Sequence, residues 1–104
     1  MLLDFNEEEV TVYYILLYDV VDDYINRRAP FRDDHLHVAN EAVEKGQLML
    51  GGAFDNPVDG AALVFQADDR SIVEDFVNND PYVKNGLITA WKIREWTVVI
   101  GSAL

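Results

Sequence analysis

The chain has 104 residues, half of them hydrophobic and 26% charged, which suits one domain with a real core and leaves no surplus for a second. Nineteen Asp and Glu against eight Lys and Arg give a net charge of −11, a potential that repels phosphate backbones and anionic lipid and argues against nucleic-acid and membrane partners. Without any cysteine, disulfides, thiolate nucleophiles and the common structural zinc sites are excluded.

Residues 1–11 form an acidic leader, with Asp4, Glu7, Glu8 and Glu9 in no regular spacing. The leader lacks the basic start of a signal peptide, and no apolar run approaches the roughly 18 residues of a membrane span, so a cytoplasmic location is expected. The domain proper is expected over 12–100, followed by a tail at 101–104.

The run VYYILLYDV carries apolar residues on both parities, the pattern of a strand covered on both faces. After an Asp-rich connection, helical periodicity runs from about Phe31 to Lys45, and Gly46 supplies a stop. QLMLGGAF and AALVFQA read as two strands of a hairpin turned at Asn56, Pro57, Asp59 and Gly60. Ser71 and Glu74 have capping-box spacing ahead of a second helix whose buried stripe is Ile72, Val73, Phe76 and Val77. The turn DPYVKNG and a long strand LITAWKIREWTVVI complete the chain.

The order β-α-β-β-α-β is that of the α+β ferredoxin-like fold, with a four-stranded antiparallel sheet. Two helices cover only one face of such a sheet, while the strands carry apolar residues on both. The simplest cover is a second copy, so a homodimer packed through the sheet face is expected, in the manner of a dimeric α/β barrel.

At about 100° per residue, Arg32, His35, Leu36, Ala39, Ala42 and Val43 share one face of the first helix, the face whose apolar residues are expected to pack onto the sheet, and His37 falls on the other. Arginine suits a carboxylate or enolate oxygen, and histidine exchanges protons near neutrality. The alternative is a satisfied interior histidine beside an arginine paired to Asp19, Asp22 or Asp33. Asp80, directly before Pro81, is a good N-cap, with Gly86 closing the turn it opens. A role in chemistry requires it to lie beside His35 instead.

Gly51 and Gly52 mark either a bulge or a close approach. Tyr14, Tyr18, Phe54, Phe65, Trp91 and Trp96 either line a cavity or belong to core and interface. His35 and His37 point nearly opposite ways on a helix and cannot chelate one ion together. With no phosphate loop and no His-Glu-x-x-His helix, neither a metal nor another cofactor is expected.

The segments YYILLYDVVDDY, RRAPFRDDHL, LMLGGAFDNPVDGAALVF and DPYVKNGLITAWKIREW together resemble the YCII-related (YciI-like) family over residues 12–100. The Arg-x-x-His pair and the Asp-Pro-Tyr-Val turn carry the most specific part of the likeness. The resemblance implies a dimeric α/β barrel and an enzyme-like His-Asp pair beneath the first helix, here His35 and Asp80, with Arg32 as the family's arginine. It also implies cofactor-independent proton transfer or elimination, of lyase or isomerase type, on a small lactone-like or aromatic molecule. The rival readings are a non-catalytic small-molecule binding or accessory module and a metal-free oxygenase. Ala53 stands where many relatives carry proline, and the leader is longer than usual.

Overall fold

The computed structural model describes residues 12–103; the acidic leader 1–11 lies outside them. Four strands, β1 (Tyr13–Val20), β2 (Leu48–Ala53), β3 (Gly60–Gln66) and β4 (Ile88–Trp96), form one antiparallel sheet in the order β2-β3-β1-β4. Two long helices, α2 (Arg32–Glu44) and α3 (Arg70–Asn79), make the two crossovers. Two single-turn helices, α1 (Tyr24–Arg27) and α4 (Pro81–Lys84), sit beside them. This is the expected ferredoxin-like α+β arrangement.

The core lies between the helices and one sheet face. Tyr14, Leu16 and Tyr18 of β1 stand beside Ala61, Leu63 and Phe65 of β3 on that face and meet Val73, Phe76 and Val77 of α3. Leu16, Phe65 and Val73 are fully buried, each contributing on the order of 1.5–3 kcal/mol. The opposite face carries Tyr13, Ile15, Leu17 and Val64, half-exposed, with Leu50 68% and Trp96 44% exposed.

Several local signals act as the sequence predicts. Gly46, at φ 76°, ends α2 in the left-handed region, its N–H donating to the Val43 carbonyl at 2.9 Å. Gly86, at φ 75°, closes α4 in the same way against Val83.

Others differ. Ser71 is not the cap of α3: Asp69 accepts from the Ser71 N–H at 2.6 Å, and Glu74 pairs with Arg70 at 3.1 Å. An aspartate two residues upstream already satisfies that amide, so the capping box does not form. The Asp-rich connection contains α1 and a 3₁₀ turn, Ala29–Phe31, which feeds directly into α2. β4 stops at Trp96, opposite Tyr13, where the register with β1 begins, and Val99 and Ile100 beyond it are exposed. The bulge of β2 falls between Leu48 and Leu50 rather than at the glycines. Gly51 sits close to Leu63: a Cβ there would stand 3.0 Å from Leu63 Cγ, so that side chain would have to shift.

Candidate active site

The site is built at Asp80, the junction of α3 and α4. Its backbone N–H closes α3 on the Val77 carbonyl, and its own carbonyl accepts from Val83 and Lys84, the first bonds of α4. Pro81 sets the following turn, and Asp80 Oδ1 caps it by accepting from the Tyr82 N–H at 3.0 Å. The same carboxylate is completely buried, the single buried charged group among the described residues. It accepts the Tyr18 hydroxyl on Oδ2 at 2.7 Å and meets His35 Nδ1 on Oδ1 at 2.7 Å. Capping and contact with His35 are therefore not alternatives, because one carboxylate performs both.

Three donors converge on an acceptor-only group, a fully satisfied arrangement for a buried carboxylate. With Nδ1–H donating to Asp80, the lone pair of the imidazole resides on Nε2, which has no hydrogen-bond partner among the described residues. The ring is fixed on its other side by Tyr82, stacked at 3.8 Å between centroids and 7° between planes. Tyr24 packs edge-on against Tyr82 at 5.7 Å. The His35 side chain keeps 13% exposure, against 76% for His37, which leans outward toward Glu41 at 3.6 Å.

That remaining exposure opens into a cleft of about 370 Å³ between α2 and the β2 edge of the sheet. Its walls include Tyr18, His35 and Tyr82 on one side, Leu36, Ala39 and Val43 of α2 on another, and Leu50, Gly51 and Gly52 of β2 opposite. Leu36 and Val43, expected to pack on the sheet, are 40% and 51% exposed. α2 seats itself through Val38, Ala39 and Ala42 instead, which turns its remaining apolar residues toward the cleft.

Arg32 stands at the cleft and is solvent-exposed, so it is a rim residue rather than an interior one. None of the carboxylates Asp19, Asp22 or Asp33 pairs with it. Of the six aromatic residues considered for a cavity, Tyr18 alone lines the cleft. Tyr14 and Phe65 are core, Phe54, Trp91 and Trp96 are exposed, and the two tryptophans fall on opposite faces of β4.

Arg28, Tyr24 and Tyr82 are the lining residues that the sequence reading missed. A signal existed: Arg28, Arg32 and His35 are spaced i, i+4, i+7, although the 3₁₀ turn breaks the helix between the first two. Arg28 lies over the Tyr24 ring at 5.1 Å.

Burial, and next the charge of Asp80, hold the Tyr18 phenol far above its ordinary range, so it remains a proton donor. Burial also raises Tyr82, opposed by the guanidinium groups of Arg32 and Arg28. Among the described residues, no helix is long and apolar enough to cross a membrane, and no three His, Asp or Glu side chains converge on a metal position.

The structure defines an antiparallel α+β domain of ferredoxin-like topology in which an imidazole is held by a buried carboxylate at the wall of a cleft. The chain belongs to the family of the YCII-related domain, whose model matches residues 11–97. Among solved structures, it is similar to 5-chloro-2-hydroxyhydroquinone dehydrochlorinase (TftG) from Burkholderia phenoliruptrix AC1100, in complex with 2,5-dihydroxybenzoquinone. The two are 22% identical, with a TM-score of 0.69 over 82% of this chain and 93% of that one. At that identity the likeness establishes the fold. No curated protein matches the sequence.

Proposed function

We propose that this protein is a cofactor-independent enzyme of lyase or isomerase type that moves a proton on a small aromatic or lactone-like compound. The observation that carries this reading is the 2.7 Å contact from His35 Nδ1 to an Asp80 carboxylate with no exposure to water, at the wall of a cleft. The TftG likeness supports it through shared architecture and through the kind of reaction and ligand in that protein's name.

In this scheme His35 Nε2 takes a proton from an acidic O–H or C–H bond of the bound molecule. The electron pair left behind is delocalised as an enolate or phenolate, and Arg32 holds the charge that develops on oxygen. The pair either takes the proton back at another carbon, an isomerisation, or, where the neighbouring carbon is saturated and carries a leaving group such as chloride, closes a double bond to it as chloride departs with the C–Cl pair, an elimination. Asp80 fixes the tautomer and stabilises the imidazolium formed midway. Gly51 and Gly52 on the opposite wall leave room for a planar guest.

The working unit is a homodimer closed through the open sheet face, where Ile15, Leu17 and Val64 otherwise meet solvent. A binding module without chemistry is the second reading, favoured by the capping bond from Tyr82 N–H to Asp80, which gives that residue a structural duty of its own.

The deciding experiment incubates the protein with chlorinated hydroxyhydroquinones and small unsaturated lactones in deuterated water. Chloride release is followed by ion electrode, and deuterium incorporation and isomer formation by NMR. Turnover or exchange is expected in the native protein and should fall by about 10²–10⁴ in His35→Gln, the range of a lost general base. Equal activity in His35→Gln and native protein would overturn the proposal.

A further inference from the structure

Tyr82 and Arg28 line the site, and the proposed mechanism uses neither. Tyr82 is 2% exposed, and its hydroxyl is buried: the Arg32 guanidinium stands near it and favours its ionised form, but the hydroxyl's own proton has no acceptor among the described residues. A buried hydroxyl without a partner is costly, and such groups are rare outside places where a ligand completes them. The hydroxyl is not free to turn elsewhere, because the ring is clamped between the His35 imidazole and the edge of Tyr24.

A second observation comes from charge. The chain has 19 carboxylates and only eight Lys and Arg, so its basic side chains have abundant partners. Arg28 and Arg32 nevertheless make no ion pair among the described residues, and both line this cleft. Among the described residues, no Asp or Glu side chain lines it. A positive pocket in a chain of charge −11 attracts an anion only at short range, since the field farther out is repulsive.

We propose that the molecule this cleft takes is an aromatic anion, whose charged oxygen lies between Arg28 and Arg32 and receives the Tyr82 hydroxyl as a hydrogen-bond donor. Arg28 and Tyr82 are then specificity-determining residues, and the substrate class is a phenolate or carboxylate rather than a neutral ring or ester. The apolar wall of Leu36, Ala39 and Val43 accepts the ring, and the anionic end points to the arginines. The inference rests on the proposed function for the idea that the bound molecule reacts, but the anion preference stands on the cleft alone.

The test measures binding, by calorimetry or fluorescence, of two anions against neutral isosteres: salicylate against salicylamide, and 2,4-dinitrophenolate against 2,4-dinitroanisole. In the native protein at least one anion is expected to bind about 10-fold more tightly than its isostere or better, the effect of a hydrogen bond to a charged group. Arg28→Met should erase most of that difference. Tyr82→Phe, which keeps the stacked ring, should cut anion affinity several-fold without lowering the melting temperature, and neither variant should weaken the neutral compounds. No preference for either anion in the native protein, or equal losses for anion and isostere in both variants, would overturn the inference. The two claims fail separately: anion preference in a native protein that turns over none of the chlorinated hydroxyhydroquinones or lactones would uphold the binding site and remove the enzymatic reading, whereas turnover without anion preference would do the reverse.

Discussion

The two long helices rest on the same sheet, yet they meet it in opposite ways. α3 presents Val73, Phe76 and Val77 to Phe65 and its neighbours, with the Phe65 and Phe76 rings edge to face at 5.1 Å, and leaves no buried polar side-chain atom without a partner. α2 seats only Val38, Ala39 and Ala42 and leaves Leu36, Val43 and Arg32 beside an open cleft, which Tyr82, with its buried hydroxyl, also lines. One helix spends its apolar stripe on stability, and the other gives up part of it to hold a space. The proposed site lies where packing is left incomplete.

Asp80 joins the two halves, and removing it is the largest single perturbation expected. Asp80→Ala strips the partner from the Tyr18 hydroxyl, the Tyr82 amide and His35 Nδ1 at once. A cost of about 3–5 kcal/mol is expected. Phe76→Ala, on the packed side, should cost a similar ~3–5 kcal/mol through a cavity. Denaturant unfolding of both variants checks the pair. An Asp80→Ala protein as stable as the native one would mean that the carboxylate is not the keystone of the site, whatever its distance to His35.

Tyr18 gives a smaller effect with a distinctive pH signature. Near neutrality Tyr18→Phe leaves Asp80 Oδ2 without its donor, a cost of about 1–3 kcal/mol. In the unfolded chain a tyrosine ionises near pH 10, while folded Tyr18 keeps its proton because burial and Asp80 raise it. Above about pH 10 the unfolded state therefore binds fewer protons than the folded one, and stability falls as pH rises. Phenylalanine cannot take part in that fall. The gap in stability between native and Tyr18→Phe proteins should accordingly narrow from about pH 9 to about pH 11 in denaturant titrations. Tyr24 and Tyr82, also raised by burial, keep part of the alkaline slope in both proteins. A gap that stays constant would show that Tyr18 ionises on folding as readily as off it.

How much of this was legible follows the same division. The packed half was written in local pattern: the stripe Ile72, Val73, Phe76 and Val77, the apolar runs of β1 and β3 and the stops at Gly46 and Gly86 are local signals that packing leaves intact. The contact of His35 with Asp80 spans 45 residues, and no spacing rule brings them together, so the sequence offered the cap and the partner as alternatives where the structure unites them. Leu36 and Val43 were misplaced because a helical stripe shows which residues share a face but not how closely the helix approaches the sheet. Arg28 was missed because the 3₁₀ turn interrupts the period that would have joined it to Arg32. Tyr82 was passed over as a turn residue, since nothing in DPYV shows that its hydroxyl lacks a partner. In each case the missing information was the depth of a cleft.

The smallest expected effect is also the sharpest test of the contrast between helices. Leu36 has the same apolar character as the residues of α3, and by composition alone its truncation should cost as much as any core leucine, about 2–5 kcal/mol. It is 40% exposed and borders empty space rather than packed side chains, so little contact is lost and no closed cavity forms. Leu36→Ala should therefore cost less than about 1 kcal/mol, within the ordinary range for surface changes. Its effect should appear instead in the affinity of the cleft for aromatic rings, charged and neutral alike, because the wall it removes touches the ring and not the anion. That pattern is the complement of Arg28→Met, which discriminates by charge and is indifferent to the ring. A loss of stability at Leu36 comparable to that at Phe76 would mean that α2 packs as tightly as α3, and the cleft would then have no room for a guest.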